Sequence, residues 1–223
     1  MARTTSAFIS QLSHKDIRIR RRALRSLFEI DSPGNLEAFV PLLDDKDPWF
    51  RSKALDAHRM WAPRLGIDSL APLATHKSID ARRCAANLLE KFNENTTSIA
   101  EILYQDDDNL CKIKASKELI KFDSKGEFTS RLIESENDKI KVIALSSKHI
   151  SKEQLLSSLE NPSNSVQEIA LKQLKLVNQK ISDKKLSKLI DGGVDPLAVV
   201  SFSVENSGDT MIKLANHPNS KVR

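Results

Sequence analysis

Apolar residues along this chain fall three and four apart in short stretches, and the pattern restarts roughly once per helix pair. The clearest stretch is "DPWFRSKALDA", beginning at Asp47. Counted from Asp47 as position 0, Phe50, Ala54, Ala57 and His58 stand at +3, +7, +10 and +11. At about 100° per residue these positions share one helix face. Asp47 suits an N-cap, and Pro48 suits the first helical position, where a missing N–H is harmless. Similar words begin at Asp16, Ser78, Asp108, Asn137, Ser163, Asp195 and Asn219. Position +7 is Ala23, Ala54, Ala85, Ala115, Ala144 and Ala170, with Phe202 the exception. Successive starts lie 31, 31, 30, 29, 26, 32 and 24 residues apart, and a period that tolerates such length changes marks a solenoid of helix pairs.

Each word follows a shorter amphipathic segment, such as "NLEAFVPLL", "GIDSLAPLA", "SIAEILY" or "SKEQLLSSL". Ser98 with Glu101, and Ser151 with Gln154, have capping-box spacing. Each unit therefore reads as a first helix, a polar turn, and a second helix opened by the word. The small residue at +7 lets helices approach closely. Phe202 predicts looser packing or a shifted register in the seventh unit. The expected fold is all-α: a right-handed α-solenoid of about seven helix pairs in a single array over residues 1–223, with second helices starting near 16, 47, 78, 108, 137, 163, 195 and 219. "TTSAFISQL" is polar enough to cap the N-terminal end, and the last word stops at Arg223, so the final unit is expected to end open.

"DIRIRRRALRSL" and "DPWFRSKALDA" resemble HEAT repeats, especially the short kind also found in phycobilisome-lyase-type proteins. The family pattern has Asp at 0, a small apolar residue at +3, Arg at +4 and Ala at +7. Arg20, Arg51, Arg82 and Arg223 match at +4, Lys112 and Lys141 stand in for arginine, and Gln167 and Val199 depart from it. The +4 arginines are expected to pair with position-0 carboxylates and bridge the turns. The resemblance implies that second helices line a concave face. It says almost nothing about activity, because the fold serves many functions.

Positions +2, +5 and +9 lie opposite the packing stripe, with +6 beside them. They are Arg18, Arg21 and Arg25 in the first unit, flanked by Arg22, then Trp49, Ser52 and Asp56, flanked by Lys53. The third unit places Asp80, Arg83 and Asn87 there; the fourth Leu110, Ile113 and Lys117; the fifth Lys139, Val142 and Ser146. A groove built this way starts basic, holds one tryptophan and turns apolar. The arginines read as an anion site for a nucleic-acid backbone or an acidic protein segment, or else as a solvated face. Trp49 either stacks on a ligand or packs on the neighbouring turn. Leu110, Ile113 and Val142 read either as a partner-binding patch or as residues buried by the superhelical twist. His58 occupies a position held elsewhere by leucine, and Trp61 lies near a helix end, so both read as structural.

Charge sharpens this picture. The net charge of +5 is modest, yet eleven of the thirteen arginines fall between Arg3 and Arg83, and arginine is the better residue for forked contacts to phosphate or carboxylate. No apolar run approaches the roughly 20 residues of a membrane span, and "MARTTSAFISQLSHKD" lacks the apolar core of a secretory leader. Cys84 and Cys111 have no zinc-type spacing and are expected to be buried and reduced, which points to the cytoplasm.

Catalytic signals are missing from the sequence. It has no glycine-rich phosphate loop, no HExxH and no histidine–cysteine cluster. The carboxylates of "QDDDN" (105–109) are expected to be solvated in a turn, and "DGG" (191–193) reads as a helix stop. No catalytic residue, metal or cofactor is expected. The expected function is a non-enzymatic binding scaffold that presents a concave groove to a protein or peptide. Its candidate contact residues are Arg18, Arg21, Arg25, Trp49, Lys53, Arg83, Leu110, Ile113 and Val142. The alternative is a nucleic-acid-backbone binder. Here the resemblance adds an enzymatic version, the HEAT-like alkylpurine DNA glycosylases, whose basic groove sets tryptophans and a carboxylate beside the lesion. Trp49, Asp56 and Trp61 are the loose counterparts, and no catalytic role is carried over to them.

Overall fold

A computed structural model of the chain describes residues 2–203 and 208–223. Helices and turns make up those residues, with no strand among them. The second helices are α2 (Ile17–Ile30), α3 (Pro48–Leu65), α5 (Ile79–Leu88), α7 (Asn109–Lys121), α9 (Asp138–Leu145), α11 (Asn164–Leu176) and α13 (Pro196–Ser203). Each begins one residue after the start of its word. The word at Asn219 forms only a turn. Between them run the first helices: α1 (Ala2–Gln11), α4 (Ala71–Ala74), α6 (Thr97–Tyr104), α8 (Glu127–Ile133), α10 (Lys152–Ser158), α12 (Asp183–Asp191) and α14 (Asp209–Ala215). The first helix of the second pair is not an α-helix. Pro33–Asp44 winds as 3₁₀, with Pro33 at its start and Pro41 inside it, where the ring removes a backbone donor. Ile67–Leu70 is also 3₁₀ and runs directly into α4.

The chain divides into two compact units, Met1–Phe122 and Asp123–Arg223. The first contains the pairs that end in α2, α3, α5 and α7. The second contains those that end in α9, α11 and α13, followed by α14. In both units the first helix of a pair packs on the second, which is the construction of an α-solenoid.

The stripe at +7 behaves as its size requires: Ala23, Ala54, Ala85, Ala115, Ala144 and Ala170 are fully buried. In the first unit Phe28, Phe39 and Trp61 form an aromatic cluster with ring centroids 5.2–5.5 Å apart. In the second unit Leu145, Leu155, Leu171, Leu174, Leu186 and Val199 share one core. Replacing Ala85 with Leu should overpack its site and lower unfolding stability by about 1–3 kcal/mol in a denaturant titration. An unchanged midpoint would mean that +7 is not the packing position.

The seventh unit shifts its register. Val199 at +4 is buried where other units carry a polar residue, and Phe202 enters the core while Ala198 at +3 is only partly covered. The Ser151–Gln154 capping box forms in full. The Ser98–Glu101 box does not: α6 starts earlier, and Asn95 Oδ1 accepts the N–H of Thr97 instead. The "DGG" stop is as expected, with Gly192 capping α12 and Gly193 at φ +91°, a conformation that favours glycine.

Candidate binding site

The ends of the second helices are tied down by a polar ladder. Position-0 side chains cap their helices: Asp16 accepts the N–H of Arg18, Asp47 that of Trp49 and Asn137 that of Lys139. A second acceptor lies two residues earlier, at −2. His14, Asp45, His76, Asp106, Ser135, Asn161 and His217 each accept the N–H of position 0 through a side-chain atom at 2.9–3.2 Å. Three of the five histidines occupy this position. The signal was available in the sequence, but it is a polar one with varied residue types, so apolar periodicity does not find it. At −2 the seventh unit has Gly193, and the N–H of Asp195 bonds Glu168 instead.

The +4 side chain closes the ladder. Arg51 donates to the carbonyls of Asp45 and Lys46, Arg82 to those of His76 and Lys77, and Gln167 to those of Leu159 and Asn161. Gln167 departs from the family's arginine yet keeps the tie to the −2 carbonyl. Two of the arginines also reach the next repeat. Arg20 pairs with Asp45, and Arg82 forks onto Asp106 at 2.6 and 3.2 Å. The expected partner was the carboxylate at 0; the partner found is the one at −2.

Position 0 is instead met by +5. Arg21 pairs with Asp47 at 3.2 Å, its guanidinium 5.2 Å from the Trp49 ring centre, and Arg83 forks onto Asp108 at 3.1 and 2.7 Å. Both arginines lie on the outward face as expected, but their charge is spent inside the protein. The "QDDDN" carboxylates are correspondingly not a solvated cluster. Asp106 and Asp108 are largely buried, and only Asp107 stands exposed. The Arg83 fork leads the effects that hold the Asp108 carboxyl down at about 2, against the opposing pull of burial. At Asp106 burial is the largest single influence and works upward, but the Arg82 fork and the Asp108 N–H outweigh it and leave the carboxyl below its usual range. Burial first, then Asp106, pushes the Cys111 thiol up to about 12. Burial likewise raises the Cys84 thiol, and both thiols are unpaired.

A cleft of about 810 Å³ opens in the first unit between α3 and α5. Its lining includes Ser52, Asp80, Arg83 and Asn87, which are +5, +2, +5 and +9 of two successive words. The outward face is therefore a real groove here. Its floor is apolar, made by Leu43, Leu55, Pro63, Ala81 and Leu88. Arg59 and Lys91, beyond the window in which outward positions were counted, also line it. Among the described residues, no group of histidine, cysteine and carboxylate side chains is arranged to hold a metal.

The remaining candidates lie outside this cleft. Arg18 and Arg25 are exposed on α2, and Trp49 is half-buried under Arg21. Lys53 pairs with Asp56 at 2.8 Å, and Arg59 takes the other oxygen of that carboxylate at 2.9 Å. Leu110 is exposed and Ile113 half-buried in the first unit. Val142 belongs to the second unit, where it is half-buried and packs against the core. Trp61 is fully buried and donates its indole N–H to Asp31 at 2.7 Å, which removes it from any ligand.

His58 is fully buried with Nδ1 on the Ala54 carbonyl at 2.8 Å, while Nε2 is buried without a partner. Burial depresses its basicity below the usual histidine range, and the Ala54 carbonyl only partly offsets this. The unfolded chain then binds a proton near its ordinary pKa while the folded chain does not. Stability should be indifferent to His58 above about pH 6.5 and fall below it, by at most about 1.4 kcal/mol per pH unit. Replacing His58 with Leu, the buried residue at +11 in four other repeats, should remove that part of the acid loss. Identical acid titrations of the two proteins would contradict this.

No helix among the described residues is long and apolar enough to cross a membrane. No curated protein matches the chain. Residues 5–60, which carry the first two words and the arginines that clamp them, match the family model of HEAT repeats, and over that stretch the chain is built of HEAT repeats.

Proposed function

We propose that this protein is a non-enzymatic binding scaffold that takes a protein segment into the cleft between α3 and α5. The observation that carries this reading is the cleft itself, an open apolar-floored groove whose walls are the outward positions of successive repeats. HEAT repeats serve generally as interaction scaffolds, and a groove with an apolar floor and a few placed polar groups is what a peptide-binding site needs. Two buried, unpaired thiols fit work in a reducing compartment, the cytoplasm. A photo-crosslinking residue at Ser52 or Asn87 should trap a discrete partner in cells. The same residue at Glu37, exposed on the first-helix side of the same unit, should not. Equal trapping at both places would reject the cleft as the site.

A second reading rests on α2. Among the described residues Arg22 and Arg25 are exposed there without an ion-pair partner, and Arg18 has Asp16 only at 3.7 Å. Three such charges on a nucleic-acid backbone would give a log–log salt slope of about −2.7 for duplex DNA, from about 0.9 per phosphate. The double change of Arg22 and Arg25 to Glu should abolish that binding without unfolding the chain. No binding of duplex DNA at low salt would dismiss the reading.

A further inference from the structure

We propose that the cleft's occupant is an extended peptide segment with a carboxylate side chain beside an apolar anchor, the carboxylate seated at the Arg59–Lys91 end. This rests on the scaffold reading above and names the ligand chemistry of that same cleft.

The two ends of the cleft differ in how their charges are used. Arg51, Asp80 and Arg83 stand at +4, +2 and +5 of their words and mark one end; Arg59 and Lys91, at +12 and +13, mark the other. At the first end the charges are answered within the protein. Arg83 is forked onto Asp108, Arg51 is bound to two turn carbonyls, and Asp80 adds a negative charge to the wall.

The second end is short of negative charge. Among the described residues Asp56 is the one carboxylate paired with Arg59, and it is shared with Lys53, so two cations divide one anion. Lys91 is exposed and has no ion-pair partner among the described residues. The carboxylates nearest it in sequence are engaged elsewhere and do not line the cleft: Glu90 pairs with Lys114 at 3.6 Å, and Glu94 accepts the N–H of Ile67 at 2.7 Å. An incoming carboxylate would complete the set, and a guanidinium is suited to hold it. Toward the middle, Leu55 and Leu88 offer an apolar surface to a neighbouring side chain of the same peptide. Charge at the end would set direction, and burial at the middle would supply most of the affinity.

The test selects short random peptides by display on the full chain and measures the winners against two variants, Ser52→Trp and Lys91→Glu. Both positions are exposed, so circular dichroism should be unchanged. Ser52→Trp fills the cleft and should abolish binding. Lys91→Glu should weaken it about tenfold or more, about 1.4 kcal/mol. The selected peptides should carry Asp or Glu next to an apolar residue, and their binding should weaken with salt. Peptides that are lost in Ser52→Trp but show no acidic preference and tolerate Lys91→Glu would overturn the carboxylate assignment and leave the scaffold standing. If no selected peptide responds to Ser52→Trp, the cleft reading itself fails. Duplex DNA that binds the native chain and loses affinity in both variants as the peptides do would replace the peptide with a nucleic-acid backbone.

Discussion

Replacing Trp61 with Ala should cost the first unit about 3–5 kcal/mol, the range for truncating a large buried aromatic. The indole is fully buried, lies 5.2 Å from the Phe28 and Phe39 ring centres, and donates to Asp31. Asp31 ends α2 in a left-handed conformation, with its own N–H on the Phe28 carbonyl, and also takes Arg64 at 2.8 Å. One side chain thus joins the end of α2, the 3₁₀ segment and α3. Trp61→Phe separates the two contributions. It keeps a ring in the cluster and loses the N–H, so it should cost only about 0.5–1.5 kcal/mol from the hydrogen bond, with some packing loss besides. Trp49 remains as a fluorescent reporter in both variants, and both tryptophans belong to the first unit, so emission follows that unit alone. If Trp61→Ala unfolds at the native denaturant midpoint, the aromatic cluster does not stabilise the unit.

The helix pairs and the alanine stripe were legible because both are local: spacing within a dozen residues decides which face is buried. The outward positions Ser52, Asp80, Arg83 and Asn87 followed from the same geometry and do line one cleft. What that geometry cannot supply is the partner of an outward charge. Arg21 and Arg83 were correctly placed but read as free cations, because Asp47 and Asp108 lie 26 and 25 residues further along the chain. Arg59 and Lys91 escaped notice because the words were compared only as far as +11, and these residues stand at +12 and +13. For Val142 two readings stayed open for a related reason. Whether a +5 residue is covered depends on what lies across from it in the next layer, and in the second unit the core reaches it. The 3₁₀ winding of Pro33–Asp44 was announced by Pro41, whose effect on a backbone donor outweighs a good apolar spacing.

The ladder of +4 side chains predicts that one substitution will have unequal consequences in adjacent repeats. Arg51→Gln should be nearly neutral. Arg51 holds two carbonyls of its own turn and no carboxylate, because −2 of the next word is His76 rather than an acid. Gln167 shows that a glutamine at +4 can reach the −2 carbonyl, that of Asn161, at 2.7 Å, and it takes the −4 carbonyl of Leu159 at 3.1 Å in place of the one at −1. Arg82→Gln should keep that local tie and lose the second one. The Asp106 side chain is only 4% exposed, and its fork to Arg82 is what compensates its charge. Removing one partner of a buried pair leaves the other charged and unsatisfied. Since Arg82 is itself 22% exposed, a cost of about 2–4 kcal/mol is expected, toward the lower side of the usual range for a fully buried pair. Asp106→Asn in the Arg82→Gln background should recover part of the loss by removing the stranded charge while retaining an acceptor for the Asp108 N–H. Denaturant titrations of the four proteins, Arg51→Gln, Arg82→Gln, the double variant and the native chain, decide the matter. Equal losses at Arg51 and Arg82 would show that the turn carbonyls, not the inter-repeat ion pair, carry the stabilisation.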